Sequence, residues 1–544
     1  MRGNRLLTIS VKKLLGRIGE TERMRRRKVL QALSAGVVGI SGCTGSQSDD
    51  PETEREPTTR SGRTQTTQEP RANGNGTGNE PNDPEFEFDR VVNAVDDLGM
   101  DSTGEVPIDD ALNDAFETGT LIEFPPGDYT VAEEAPTDPP HNPSRFGMIG
   151  LGETHTDVQF HFPNAADQRG FWFVYQAGGE NVVLANFSIQ LTDDNETSVS
   201  IRFDCNDGGL IEDVEWLGFV PVQSEGYAHL LRCNVSEATG ADVDGINVLR
   251  HVTIGRGGAW YGGHTSRTGT APGTTYIRHF PDHVGEIIYD EIHLEQCGGS
   301  AFRSTNNEGV ITVKGGLFRN NDIANLRLQG GKHPEKVSTV TGARVVIDHD
   351  DIRYPTGGTE PRHGTGILID SRKGESGVIF EDCDIEYYNV DLDARSDNPP
   401  NGVVRLTDTG VSNPGGFTMR NCRIYNNTAA QTFWVQPVKD GAETPHGVTI
   451  ENVDVTVTAE AQERDSVIQI EDGRNETRIS NCCIHAPDST VDGISFENCN
   501  DVIVEDSNIN VGGVPVRMTN ANGAIRNLSH NHSCQKPNQT NSNR

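Results

Sequence analysis

The chain has 544 residues, with 80 Asp and Glu against 46 Lys and Arg and a formal net charge of −34. Such a surface repels phosphate backbones, and no segment beyond the basic N-terminal stretch could hold one, so nucleic acid is not an expected partner. Lys is scarce beside Arg, a composition suited to high salt, where ions screen the self-repulsion of an acidic surface.

Residues 1–23 are basic and carry no folding pattern; Met24 is a second candidate start. From Met24 the chain reads MRRRKVLQALSAGVVGISGC: Arg25, Arg26, Arg27 and Lys28, an apolar run over 29–40, then Ile40-Ser41-Gly42-Cys43. That run is too short to span a bilayer and reads as an export signal. The twin arginines point to export of a folded protein. The end resembles a lipoprotein box with Cys43 as the lipidated residue, although Val29-Leu30 departs from the usual twin-arginine pattern. The expected location is therefore extracellular, at the cell surface, with membrane contact only through a lipid on Cys43. Together with the acidic composition, this resembles exported haloarchaeal proteins.

Residues 44–84 are Ser, Thr, Asp, Glu, Gly, Asn and Pro with almost nothing apolar, and they predict a disordered linker. Residues 85–135 predict a cap and first rung. The stretch 106–116 has helical spacing, with Pro107 early and Asp109-Asp110 in the first turn, predicting a helix near 107–117. A strand over 121–124 and a Pro125-Pro126-Gly127 turn follow.

From 136 to 520 one pattern recurs: NVVLANFSI (181–189), GLIEDVEW (209–216), INVLRHVTI (246–254), EIIYDEIHL (286–294), GVIFEDCDI (377–385), GFTMRNCRI (416–424), GVTIENVDV (447–455) and DVIVEDSNI (501–509). Each unit alone has too few apolar residues to bury a face; stacked, they form one cylinder. Mid-repeat corners carry Asn or an acid: Asn186, Asp213, Glu291, Asp382, Asn421, Asn452, Asn481 and Asp506. The next residue points inward, so Cys383, Cys422 and Cys482 read as small core residues, not metal ligands. A Cys205–Cys233 disulfide is one possibility that spacing does not decide. Sequons at Asn186, Asn195, Asn234, Asn426, Asn475 and Asn527 are glycosylation candidates. Residues 521–544 predict a disordered tail.

This repeat resembles the right-handed parallel β-helix of the pectate-lyase superfamily over roughly residues 86–510, and the N-terminal pattern resembles the cap of secreted β-helix enzymes. The resemblance implies an all-β, single-stranded, right-handed parallel β-helix of about ten to twelve turns with an N-terminal capping helix. That fold hosts lyases, hydrolases, epimerases and non-enzymes, so chemistry has to come from the site.

No self-sufficient catalytic motif is present. Strand alternation, however, aims a column of side chains outward: Arg303, Arg327 and Arg405, with Leu368 and Trp434 at equivalent positions. Two residues further along, Thr305, Gln329, Asp370, Thr407 and Gln436 form a second column. The segment 258–285 holds Trp260, Tyr261, His264, Arg267, Arg278, His279, Asp282 and His283, and 330–364 holds Lys332, His333, Arg362 and His363. Long insertions in a solenoid tend to be functional.

The expected catalytic group is Arg303, Arg327, Asp370, Arg405, His279 and His283, with His279 or His283 as base. Trp260, Tyr261, His264, Arg267, Gln329 and Trp434 are the expected substrate contacts. The leading reading is a monomeric polysaccharide lyase acting on an acidic polymer by β-elimination. A non-catalytic surface glycan-binding protein is the alternative. An inverting hydrolase ranks lower, because Asp370 has no clear acidic companion at the required separation. No cofactor is assigned from the sequence; Ca2+, which Asp370 would help to hold, is the one metal considered, and whether it is needed stays open.

Overall fold

The computed structural model describes residues 7–10, 85–136, 142–164, 171–191, 199–218, 229–255, 275–297, 299–321, 323–351, 364–389, 402–407, 411–460, 464–530 and 533–534. The export signal, Cys43, the linker, and Trp260, Tyr261, His264 and Arg267 lie outside these residues.

Apolar residues alternate along short strands, and each strand pairs in parallel with its counterpart one turn away. Twelve strands stack into one wall: Phe171–Ala177, Val199–Asp204, His229–Cys233, Thr275–Arg278, Ser300–Ser304, Ala324–Leu328, Ile367–Ile369, Val404–Leu406, Phe433–Val435, Ser466–Ile470, Asp492–Glu497 and Val516–Thr519. The remaining strands make the other two walls, and in two coils, Val182–Leu191 and Gly209–Gly218, the strand runs unbroken round the corner between them. The molecule is a parallel β-helix. Its inner side is lined by pairs such as Ile201 and Phe203, Leu326 and Leu328, Ile367 and Ile369, and Ile468 and Ile470, all buried. No single coil encloses a core; burial comes from the coil above and the coil below.

The corners follow the expected pattern. Asn186, Glu291, Asp382 and Asn452 sit at φ of 57°, 50°, 55° and 52°, a left-handed conformation that Asn and Asp tolerate best after Gly. Asn452 Nδ2 donates to Asn421 Oδ1 at 2.8 Å, one rung of an amide ladder. His251 occupies the same corner position at 51°. The residues that follow, Phe187, Val214, Cys383, Cys422 and Cys482 among them, are buried.

The capping helix spans Asp109–Ala115, shorter than expected, because Pro107 ends the strand Thr103–Pro107 that pairs with Gly127–Thr130. Leu112 and Ala115 face the first coil, and Phe116 packs on Phe146 with ring centroids 4.2 Å apart. Asp109 does not serve the helix alone: its carboxylate accepts from the backbone N–H groups of Ala132 and Glu133 at 3.0 and 2.8 Å, tying the next loop to the cap. In the PPG turn, Tyr129 Oη donates to Pro125 O at 2.7 Å.

Three expectations need correction. The coil does not fade at 520: Gly523–Arg526 pairs with Val502–Glu505, and Cys534 is joined to Cys483 by a disulfide. Cys205 and Cys233 are free and buried, not paired with each other. Of the sequons, Asn186, Asn234 and Asn426 are buried and hydrogen-bonded, which leaves Asn475 and Asn527 exposed among the described residues. No described helix is long and apolar enough to cross a membrane.

Candidate functional site

The twelve-stranded wall brings the arginines together. In register, one residue per coil, it presents Tyr175, Arg202, Arg232, Arg278, Arg303, Arg327, Leu368, Arg405 and Trp434. Neighbouring rungs lie about 4.8 Å apart. The expected adjacency of Arg303 and Arg327, with Asp370 on the next coil, is therefore met. The ladder is longer than the sequence reading proposed: Arg202, Arg232 and Arg278 extend it to five consecutive guanidiniums. The signal was available in Ile201-Arg202-Phe203, Leu231-Arg232-Cys233 and Ile277-Arg278, where an Arg again follows an inward apolar residue.

Five like charges in a column repel, by about 3.5 kcal/mol for a pair one rung apart at an effective dielectric of about 20. The structure offsets most of this. Arg202 Nε meets Asp204 at 2.6 Å, and Arg232 meets Asp204 at 2.8 Å and Asp282 at 3.3 Å. The guanidiniums of Arg232 and Arg278 lie over the Phe280 ring at 4.2 and 4.7 Å, a cation–π contact that softens the repulsion. Arg327 donates through Nε and a terminal nitrogen to Asp370 Oδ2 at 2.9 and 2.5 Å.

Arg303 is the exception. Its Nε donates to Thr305 Oγ1 at 3.2 Å, and no carboxylate of a described residue lies within ion-pair reach of it. Burial pushes its pKa down to about 9, with Arg327, Arg372 and Arg278 adding to the effect against Asp370. Arg372 was not anticipated. It is exposed, and its backbone N–H donates to Thr305 O at 2.8 Å, on the same coil as Arg303. Among the described residues it too has no ion pair. Three further arginines, Arg327, Arg372 and Arg278, thus act on Arg303 against one carboxylate, Asp370, in a protein whose net charge is −34.

Several expected participants are placed elsewhere. His279 and His283 lie inside the coil. His279 Nδ1 is 2.6 Å from Cys233 O and its other ring nitrogen meets Tyr289 Oη. Burial holds the His279 pKa well below its usual value and pushes that of His283 down to about 4. The reason is register: position 279 follows outward Arg278, so its side chain turns inward. Neither histidine can reach a ligand on the Arg wall. Gln329 is fully buried and donates to Asn307 O, so it is not a surface contact. Arg405 is buried; its Nε donates to Gln436 Oε1 at 2.8 Å, and its guanidinium lies over Trp434 at 4.3 Å. Trp434 also carries Arg464 at 3.6 Å and donates from Nε1 to Glu471 at 3.0 Å.

Asp370 is ionised and committed. Burial pushes its carboxyl up, but Arg327, the Ser412 hydroxyl and Arg303 outweigh it and hold its pKa below the usual value. Its surroundings do not fit calcium, which needs several oxygen ligands; here guanidiniums take their place.

No family model and no curated protein matches the chain. Among solved structures, it is similar to the surface adhesin PfbA of Streptococcus pneumoniae, at 14% identity over 84% of this chain and 97% of that one, with a TM-score of 0.38. It is also similar to the A-module of the mannuronan C-5 epimerase AlgE4 of Azotobacter vinelandii, at 12% identity over 81% and 100%, with a TM-score of 0.34. A third is the catalytic unit of an α-1,3-glucanase from Streptomyces thermodiastaticus, at 15% identity over 84% and 70%, with a TM-score of 0.33. At these values the likeness concerns the fold and does not bear on chemistry.

Proposed function

We propose that the protein acts outside the cell on an acidic polysaccharide, held on the Arg wall with Arg303 at the centre, and cleaves it by β-elimination. The observation that carries this reading is Arg303 itself: a half-buried guanidinium with no carboxylate partner among the described residues, beside Arg278, Arg327 and Arg372. A fold does not need such a group, and an anionic ligand would offset it.

In the proposed reaction, a uronate carboxylate sits among Arg278, Arg327 and Arg372, which stabilise the charge that develops as the neighbouring carbon loses its proton. Arg303, in its neutral form, takes that proton. The electron pair forms the ring double bond, the glycosidic carbon–oxygen bond breaks, and the leaving oxygen takes a proton from water. Arg303 then returns its proton to solvent. An ordinary guanidine is too basic for this role; with its pKa pushed down to about 9, a usable fraction of Arg303 is neutral in mild alkali. Activity therefore rises with pH toward 9 and levels off above it.

One observation favours binding without cleavage: His279 and His283, the ordinary bases named from the sequence, are buried and not available. Incubating the purified protein with a panel of acidic polysaccharides separates the readings. Ultraviolet absorbance from a new double bond, lost in Arg303→Gln, supports elimination. Binding without that absorbance supports a glycan-binding protein, and absence of binding to every acidic polymer overturns both. We further propose that Cys43 carries a lipid that holds the protein at the cell surface.

A further inference from the structure

We infer that the protein forms a closed dimer in which two copies meet end to end through their C-terminal coils, in place of the monomer expected from the sequence. The inference is independent of the polysaccharide reading.

A solenoid buries each coil against the next, so an end coil leaves apolar side chains and strand edges uncovered unless something caps it. The N-terminal end is closed: Leu112 and Ala115 of the helix Asp109–Ala115 are buried on the first coil. The C-terminal end is open. Val516–Thr519 and Gly523–Arg526 are each paired on one side only among the described residues. Ile525 continues the inward column of Val504, yet Val504 is fully buried and Ile525 is 46% exposed. Met518 continues the column of buried Phe496 and is itself only partly buried, and Val514 on the same coil is 43% exposed.

Charge marks the same coil. The chain holds 80 Asp and Glu, yet none follows Asp506. The preceding coil carries Asp492, Glu497, Asp501, Glu505 and Asp506; at the register positions of Glu497 and Glu505 the last coil has Thr519 and Arg526. Acidic side chains keep copies of a chain with a net charge of −34 apart, and this face is without them. Nor is it a basic patch for an acidic partner. Arg517 donates to Asp492 at 3.1 Å, and Arg526 lies 3.8 Å from Glu505.

The chain's own tail is led away from the opening. Ser529 bridges Asn508, whose register neighbour is Cys483, and the disulfide from Cys534 to Cys483 draws the chain back down the outer wall. Residues 535–544, QKPNQTNSNR, then have no apolar side chain but Pro537 to lay over Ile525. A second copy supplies what is missing. A two-fold axis sets each edge strand antiparallel to its counterpart and brings Ile525 and Val514 against the same apolar end. Because the other end is capped, the assembly closes at two copies and does not grow into a fibre.

Analytical ultracentrifugation of the purified full chain in molar potassium chloride, where charge repulsion is screened, should show a mass rising with concentration from one chain to two and no further. The same series in dilute buffer should show weaker association. Ile525→Glu places a charge at a half-exposed site and should weaken association by about tenfold or more. Val411→Glu, at an exposed apolar site away from the end coil, should not. Hydrogen exchange needs no variant: amides of 516–526 should gain protection as concentration rises, and those of 90–93 should not. A mass of one chain throughout, or a dimer indifferent to Ile525→Glu with no gain of protection at 516–526, overturns the inference. Growth beyond two chains would show head-to-tail stacking and overturns it as well.

Discussion

Two buried residues show how much single side chains support. Arg474 has no exposed surface, and its guanidinium donates to the carbonyls of Gln436 at 2.8 Å, Gly415 at 3.1 Å, His446 at 3.2 Å, and Pro414 and Pro437 at 3.3 Å. These carbonyls belong to connections of two successive coils, 407–416 and 436–448, which have no ladder partner of their own there. Arg474→Ala leaves them unmatched, and each buried orphan costs about 1–3 kcal/mol; the unfolding free energy of the C-terminal coils, read from urea titration, should fall by at least the lower figure. His283 is buried neutral, with its pKa pushed down to about 4, whereas an unfolded histidine titrates near about 6.5. Between these values the unfolded chain binds more protons than the folded one. Stability is therefore full above about pH 6.5 and declines as pH falls toward 4. At about 1.4 kcal/mol per pH unit over about 2.5 units, the loss approaches about 3 kcal/mol. His279 acts in the same direction. Urea titrations from pH 7 to 4 should show the decline, and His283→Gln should flatten it; an unchanged slope would show that the ring is accessible.

At the scale of the coil, corners and inward rows carry separable loads. Asn452 holds φ at 52° and bonds Asn421. Asn452→Val forces a β-branched residue into that conformation and removes the amide bond, at a cost of about 2 kcal/mol. The helix cap at the other end is untouched, so the loss should appear as earlier hydrogen exchange in the coils around 421–481, with the first coils unchanged. Ile367 is fully buried between Leu326 and Val404. Ile367→Asp buries a charge there and should unfold several coils, read as loss of strand signal by circular dichroism. Native-like melting of that variant would mean the inward register has been misassigned.

For the whole molecule, salt should act in two opposite ways. A net charge of −34 strains the compact state, and screening relieves it. The melting midpoint should rise from dilute buffer to molar potassium chloride. Affinity for an acidic oligosaccharide should fall over the same range, because that contact depends on unscreened arginine. A midpoint that falls or stays level would remove the high-salt reading of the composition. Mass spectrometry of the protein from its own membrane fraction should find the chain beginning at a lipid-modified Cys43; any other N-terminus excludes that anchor.

The parallel β-helix was legible in the sequence because its cause is local and repeated: apolar alternation on each strand, and a corner residue that tolerates left-handed backbone, as at Asn186, Asp382 and Asn452. Outward placement of Arg303 and Arg327 followed from the same period of two. What the sequence left open depended on contacts between distant coils. Whether an arginine is free is set by carboxylates elsewhere in the chain: Asp282 lies 50 residues from Arg232, and Asp370 lies 43 residues from Arg327. The histidines looked like loop bases because position 279 lies just past a strand end; the strand alternation carries one residue further, past outward Arg278, and turns His279 inward onto Tyr289. Arg372 reached the site through a turn whose backbone bonds Thr305, a pairing that no local pattern encodes. Periodicity determined the scaffold and the direction of each side chain; charge balance across the stacked coils, a property of the folded molecule, decided which arginines are left for a ligand.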